Sequence, residues 1–275
     1  MTSRRSLLLG AGAALLAPRL AQAEALDDIR SRGELIVGME AAYQPYEYFQ
    51  DGKIVGYDVE IAERIARKLG VKLTLIDTAW NGIIPALYAR KFDCIISGMV
   101  INRERAQRVL FSMPYSESGT VILKRANDNT LRVAEDLSGK IVGTQLGSAN
   151  DPVAKAFEAR LKAAGKPGFR DYKLYEHFPE AYLDLNNRRI DAVAVSRAVA
   201  KLLIRNTPGR YAIVEGLQNI RVYVGAAIRK EDPQLAAYIT EVLGEMKADG
   251  SLAALQTKWF GETMETPNEV PAELP

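Results

Sequence analysis

The chain has 275 residues, of which 48% are hydrophobic and 25% charged, the balance of a globular protein with one large or two smaller cores. Its formal charge of +2 owes to three arginines in the first 23 residues; the remainder holds 33 basic against 34 acidic residues, so no basic excess points to nucleic acid. The single cysteine, Cys94, excludes an internal disulfide, and with the single histidine, His177, it argues against a structural zinc site. Cys94 lies in an apolar run and reads as a small core residue.

The chain opens with Ser3-Arg4-Arg5-Ser6-Leu7-Leu8-Leu9, an apolar run to Leu16, and the small-x-small triplet Ala21-Gln22-Ala23. The paired arginines look like a twin-arginine export signal; a general secretory signal carrying two arginines is the alternative. The run Leu7 to Leu16 is too short to span a bilayer, which needs ~20 apolar residues. Cleavage after Ala23 is expected, leaving an exported protein of 252 residues, 275 less 23.

Ala25 to Ser31 reads as a short helix and Glu34 to Gly38 as the first strand. The strand empties into a loop rich in aromatic and acidic residues, Glu40 to Phe49, followed by the turn signal Asp51-Gly52. From Tyr57 to Leu69 the apolar positions Val59, Ile61, Ala62, Ile65, Ala66 and Leu69 keep helical spacing, and Gly70 ends the helix. Val71 to Ile76 reads as a strand, Gly82 to Ala89 as a helix, and Phe92 to Ile96 as a buried strand. This β-α-β-α-β run implies a mainly parallel sheet with right-handed crossovers. Three loops then leave the same carboxyl edge: Glu40 to Tyr48, Asp77 to Trp80, and Ser97 to Arg105. Ligands of open α/β sheets bind at that edge. Gly98 lets backbone approach a ligand closely. Arg105 offers a planar fork of donors suited to a carboxylate. Tyr43 and Trp80 are candidate walls; Tyr46 and Tyr48 read as structural.

The second half repeats the pattern. Lys140 to Thr144 is a predicted strand, and Gln145 to Asn150 turns into a helix that runs to about Lys162. Gly147, Ser148 and Ala149 at that helix start form a candidate anion site of free backbone amides, and Ser148 also suits an N-cap. Strands follow at Tyr172 to Tyr175 and Ile190 to Val195, separated by a helix with Pro179 in its first turn. Ser196 thus stands at a strand's carboxyl end. Tyr223 to Ile228 is a further strand, Asp232-Pro233 opens a helix to about Lys247, and Gly250 separates it from a short helix ending near Trp259. Residues 266–275, with three prolines, read as a loose tail.

Gly56-Tyr57-Asp58-Val59-Glu60-Ile61-Ala62, followed by Ile65-Ala66 and Leu69-Gly70, resembles the signature of bacterial extracellular solute-binding proteins of family 3. The resemblance continues through Ile84-Pro85-Ala86-Leu87, Asp93 to Gly98, Phe111-Ser112, Pro114-Tyr115, Val142-Gly143, Gly147-Ser148, Arg189 to Val193, Gly225 to Arg229 and Lys258-Trp259-Phe260-Gly261. It implies the α/β two-lobe periplasmic binding protein fold, type II, each lobe a mainly parallel sheet flanked by helices. Two strands cross as a hinge, near Thr120 to Leu123 and near Arg221 to Gly225. Lobe 1 would hold residues 24–120 and 225–265, and lobe 2 residues 121–224. The implied function is that of a periplasmic, monomeric solute receptor of a polar amino acid ABC importer. Closure on the ligand would present a surface to the inner-membrane permease. No metal, cofactor or chemical step is implied. By the same resemblance Arg105 would hold the ligand's carboxylate together with amides of the Ser97 and Ser148 loops, with Tyr43 and Trp80 packing on the ligand.

The pattern departs at two positions. Amino-acid receptors of the family usually carry Asp where Ser196 stands and Ser or Thr where Val100 stands; both hold the ligand's α-ammonium. A buried ammonium without an anion costs several kcal/mol. Either Glu40 or Glu47 has taken over that task, or the ligand is an organic acid lacking an α-ammonium. Cyclohexadienyl dehydratases share the scaffold and place a catalytic Glu near Asn150, but an amide cannot act as a general acid.

Overall fold

The computed structural model describes residues 25–218 and 220–275, so the expected export signal lies outside the described residues. The strand Glu34–Met39 runs parallel to Lys72–Asp77 on one side and to Cys94–Ile95 on the other. Two antiparallel strands, Ala227–Ile228 and Leu110–Phe111, complete a five-stranded sheet. The second five-stranded sheet repeats the plan. Ile141–Gln145 lies between parallel neighbours Asp171–Tyr175 and Ala192–Ser196, and the antiparallel strands Thr120–Arg125 and Tyr211–Val214 follow. Both sheets are mixed, with a parallel half built from helix crossovers and an antiparallel half.

Helices cover the sheets as the periodicity demands. Tyr57–Leu69 buries Val59, Ile61, Ala62, Ile65 and Ala66, carries acids in its first turn and bases in its last, and ends on Gly70 at φ 71°. Burying its three large aliphatic side chains contributes roughly 5–9 kcal/mol at ~1.5–3 kcal/mol each. Pro233–Ala248 and Ser251–Phe260 pack on the same sheet assembly, through Leu235, Ile239, Val242, Leu243 and Leu252. Among the described residues no helix is long and apolar enough to cross a membrane.

Four expectations change. The Glu40 to Phe49 loop is part of a three-stranded meander, Ala42–Tyr43, Glu47–Gln50 and Lys53–Val55, with Asp51 and Gly52 both at positive φ in the two-residue turn. The two-stranded ribbon outside the main sheets is Ser116–Ser118 with Val222–Val224. Thr120 to Leu123, expected at the crossing, instead lie in the second sheet, where their apolar side chains are buried on both faces. Tyr211–Val214 is a strand that the periodicity did not announce. Finally, residues 266–275 are docked rather than loose. Thr266 is buried, Lys247 Nζ donates to its carbonyl, and the Arg103 amide donates to the Pro275 carbonyl at 3.0 Å.

Candidate functional site

The carboxyl ends of both parallel halves face a cavity of about 320 Å³, at the small end of ligand pockets. Strand periodicity explains the convergence: each parallel strand ends on the same side, so its following loop must open there. The first sheet contributes Glu40, Tyr43, Trp80, Ser97, Gly98, Val100 and Arg105; the second contributes Ser148, Ala149 and Ser196. Gly147, the remaining candidate, acts from behind: its carbonyl accepts from Trp80 Nε1 at 2.9 Å and from the Arg105 guanidinium at 3.1 Å. Its φ of 72° is a left-handed conformation suited to glycine.

Arg105 is only 8% exposed. Asn102 caps its helix, Arg103–Arg108, by accepting from the Arg105 amide at 2.9 Å. The guanidinium donates to the carbonyls of Val100 at 3.0 Å and Gly147 at 3.1 Å and lies 5.1 Å from the Trp80 ring centre. These partners are all neutral. Among the described residues no carboxylate comes within ion-pair distance of it. Burial pulls its pKa down to about 10, which still leaves it charged at neutral pH.

Glu40 is buried at the end of the first strand and is held from the opposite sheet. Gln145 Nε2 lies 2.7 and 2.8 Å from its two oxygens and 2.9 Å from the Glu176 carbonyl. His177 Nδ1 lies 2.6 Å from Glu40 Oε1. Burial raises the Glu40 pKa against the lowering effect of Gln145 and His177. Burial pulls the His177 pKa down, but the hydrogen bond and charge of Glu40, with Glu176 and Glu180, outweigh it and leave the value raised.

Tyr43 crosses the cavity. Its hydroxyl donates to Ser196 Oγ at 2.9 Å. Its ring stacks on Tyr46 at 5.3 Å and on Phe178 of the second half at 5.5 Å, and Phe178 stacks on Tyr182 at 5.9 Å. Each such pair contributes about 0.5–1.5 kcal/mol beyond area burial. The Tyr43 faces, expected to pack on a ligand, are therefore covered by protein rings. Gly98, at φ 51°, allows this approach: a Cβ there would meet the Tyr43 ring at 2.9 Å.

Beneath Ser97 lies a buried carboxyl pair. Ser97 Oγ donates to Glu47 Oε1 at 2.7 Å and accepts from the Glu40 amide at 3.0 Å. The Gly98 amide donates to Asp58 Oδ2 at 2.6 Å, and Tyr115 Oη donates to the same oxygen at 3.0 Å. Burial, with each carboxylate's neighbour, pushes Glu47 well up, and burial pushes Asp58 up to about 7, so the pair retains a proton near neutrality. Two expectations are corrected here. Glu47 supports the Ser97 loop and does not line the cavity. The Gly98 and Ser148 amides are bonded within the protein, the latter to the Gln145 carbonyl at 3.2 Å.

Gln145, Thr120 and Phe178 line the cavity without having been singled out in the sequence as site residues; Asn150, which stands near where a dehydratase would carry its catalytic Glu, lines it too, its Oδ1 accepting from Thr120 Oγ1 at 2.9 Å. Gln145 ends a parallel strand of the second sheet much as Ser97 follows one of the first, and that position is the sequence signal for it. His177 and Phe178 follow the end of Asp171–Tyr175 in the same way.

A two-lobe α/β scaffold with a small cavity between its sheets, walled by side chains that join the two halves, defines a solute-binding protein. The profile of "Bacterial extracellular solute-binding proteins, family 3" matches residues 35–262, and the chain belongs to that family. It is 35% identical over 238 residues to the L-cystine-binding protein TcyJ of Escherichia coli K12, covering 86% of each chain. A solved variant of ArgBP from T. maritima is 38% identical with a TM-score of 0.76, covering 86% of this chain and 100% of that one. The ancestral amino acid-binding protein AncCDT-1, described as a precursor of cyclohexadienyl dehydratase, is 35% identical with a TM-score of 0.77 and the same coverages.

Proposed function

We propose that the protein is the periplasmic receptor of an ABC importer and binds a small carboxylate-bearing solute, an amino acid or a derivative, between its lobes. Lobe 1 comprises residues 25–119 and 225–265 and lobe 2 residues 120–224, with Thr120 in lobe 2 because it pairs with Ser196 in the second sheet. The chain acts as an exported monomer and passes its solute to the inner-membrane permease without a chemical step. One observation carries this reading: Arg105 is a buried cation on the cavity wall whose bonded partners are neutral carbonyls. A buried unpaired charge costs several kcal/mol, and an anionic ligand group at the guanidinium removes that cost. The relatives named for cystine and arginine binding support an amino acid or near relative. Asn150, bonded to Thr120, supplies no acid or base that would favour a dehydratase.

A second reading concerns the ligand's other end. Ser196 accepts from Tyr43, and both Glu40 oxygens are held by Gln145 and His177. Among the described residues the carboxylates that line the cavity are Glu40, held in this way, and Glu104 on the rim. This favours a carboxylic acid without that group. The test is thermal stabilisation of the chain from Glu24 by each amino acid beside its deaminated analogue. A ligand at 100 times its Kd adds about 2.7 kcal/mol. Stabilisation by the deaminated acids alone supports the second reading; stabilisation by amino acids alone refutes it. Arg105→Ala is expected to lose binding by 30-fold or more, since truncating one side of a buried charged pair costs ~2–5 kcal/mol. Unchanged affinity in that variant refutes the site assignment.

A further inference from the structure

The family match ends at residue 262, yet the chain beyond it returns to the cavity. Lys247 Nζ, on the helix Pro233–Ala248, donates to the Thr266 carbonyl and to Asn268 Oδ1, the latter at 2.7 Å. From there the segment crosses to the helix that carries Arg105. The Arg103 amide donates to the Pro275 carbonyl at 3.0 Å, and the Arg103 guanidinium donates to the Leu274 carbonyl at 3.3 Å. Pro275 sits on the rim of the cavity beside Asn102 and Glu104. The segment is thus tied at both ends, and its far end adds an apolar ring to a rim that Asn102 and Glu104 make polar.

We propose that residues 266–275 form a strap that completes the rim of the solute cavity and limits the length of solute the site accepts. The proposal rests on the reading of the cavity as the solute site. Two features of the docking make it specific. Arg103 is the first residue of its helix after the cap Asn102, so its amide has no partner within the helix; the strap's carbonyl supplies one. Arg103 also stands two residues before Arg105, so the strap steadies the turn that aims the clamp. A solute held by its carboxylate at Arg105 and too long for the cavity must pass this rim.

Two variants separate the strap from the fold. One lacks residues 266–275, all beyond the family match. The other is Arg103→Pro, which keeps the chain length but removes both donors. Proline is accepted at the first position of a helix, and Asn102, at φ −138° and ψ 168°, already has the extended backbone required before proline. The probes are unbranched carboxylates from propanoate to decanoate and the α-amino acids of the same lengths, with affinities read by calorimetry. In both variants the longer probes are expected to gain tenfold or more relative to the shorter ones. Amide exchange over residues 103–108 is expected to speed up in the truncated chain. A length profile that superimposes on the parent's overturns the proposal, as does unchanged exchange. A parent that binds none of the probes overturns it differently, because the carboxylate reading of Arg105 then fails first.

Discussion

Gln145 offers the sharpest test of how the two halves hold together, because its contacts need no ligand to be measured. Its amide nitrogen reaches both oxygens of buried Glu40 across the cavity, at 2.7 and 2.8 Å. Gln145→Leu keeps the volume and removes the donor. Hydrogen bonds to a charged acceptor contribute ~1.5–3 kcal/mol, and a buried charge left without a partner costs still more. The variant has one escape: the halves part and water solvates Glu40. The joined state is therefore expected to lose ~1.5–3 kcal/mol relative to the parted one, a shift of roughly 10- to 150-fold in their ratio. Small-angle scattering of the ligand-free protein reads this as a larger radius of gyration, and any bound solute as a matching loss of affinity. Tyr43, Phe178 and Ser196 still join the halves, so a partial shift is consistent with the reasoning. An unchanged radius together with unchanged affinity refutes it.

His177 makes the same junction sensitive to pH. Its raised pKa means that its contribution to the joined state is complete below the free-histidine value of ~6.5 and fades as pH rises through the folded value. Glu40, raised chiefly by burial, also makes the joined state weaken as pH rises, at lower pH. For a pair this exposed on the histidine side the effect is up to ~1 kcal/mol, about fivefold in solute affinity between pH 6 and 8.5. His177→Gln is expected to flatten that slope, and an equal slope in the variant refutes the assignment. Away from the cavity, Arg229 is 2% exposed and bonds Asp232 at 2.5 Å and the carbonyls of Leu87 and Phe92. Asp232→Ala strands that buried guanidinium and is expected to cost ~3–5 kcal/mol in urea unfolding; a loss under 1 kcal/mol would show that the carbonyls suffice.

What the sequence disclosed was what local chemistry writes into it. The helix Tyr57–Leu69 is stated by its apolar spacing, its charged ends and Gly70, and the structure reproduces its bounds. Likewise the loops that close the cavity follow from where parallel strands must end: Trp80 and Ser97 leave the carboxyl edge of the first sheet, and Ser148 and Ser196 follow strand ends of the second. Where the reading went astray, the element was too short or its partner too distant. Ser116–Ser118 has three residues, all polar, so nothing in its local pattern moves the crossing that the resemblance implies near Thr120 back to it. The meander from Ala42 to Val55 is built of strands of two to four residues, too brief for alternation to register.

The junction at Glu40 and the docked tail are harder cases, for a different reason. Gln145 is 105 residues from Glu40 and His177 is 137, and no periodicity links positions so far apart. A lone histidine counted against zinc is the same residue that meets a buried carboxyl group once two strand ends are brought face to face. The tail is held through backbone carbonyls at Thr266, Leu274 and Pro275, groups that every residue carries and no side-chain pattern reports. Its prolines signal that it forms no helix or inner strand, and that signal alone reads as a loose end. The two are separate properties: a segment without secondary structure still offers a carbonyl at each residue, and helix starts such as Arg103 have amides to receive them.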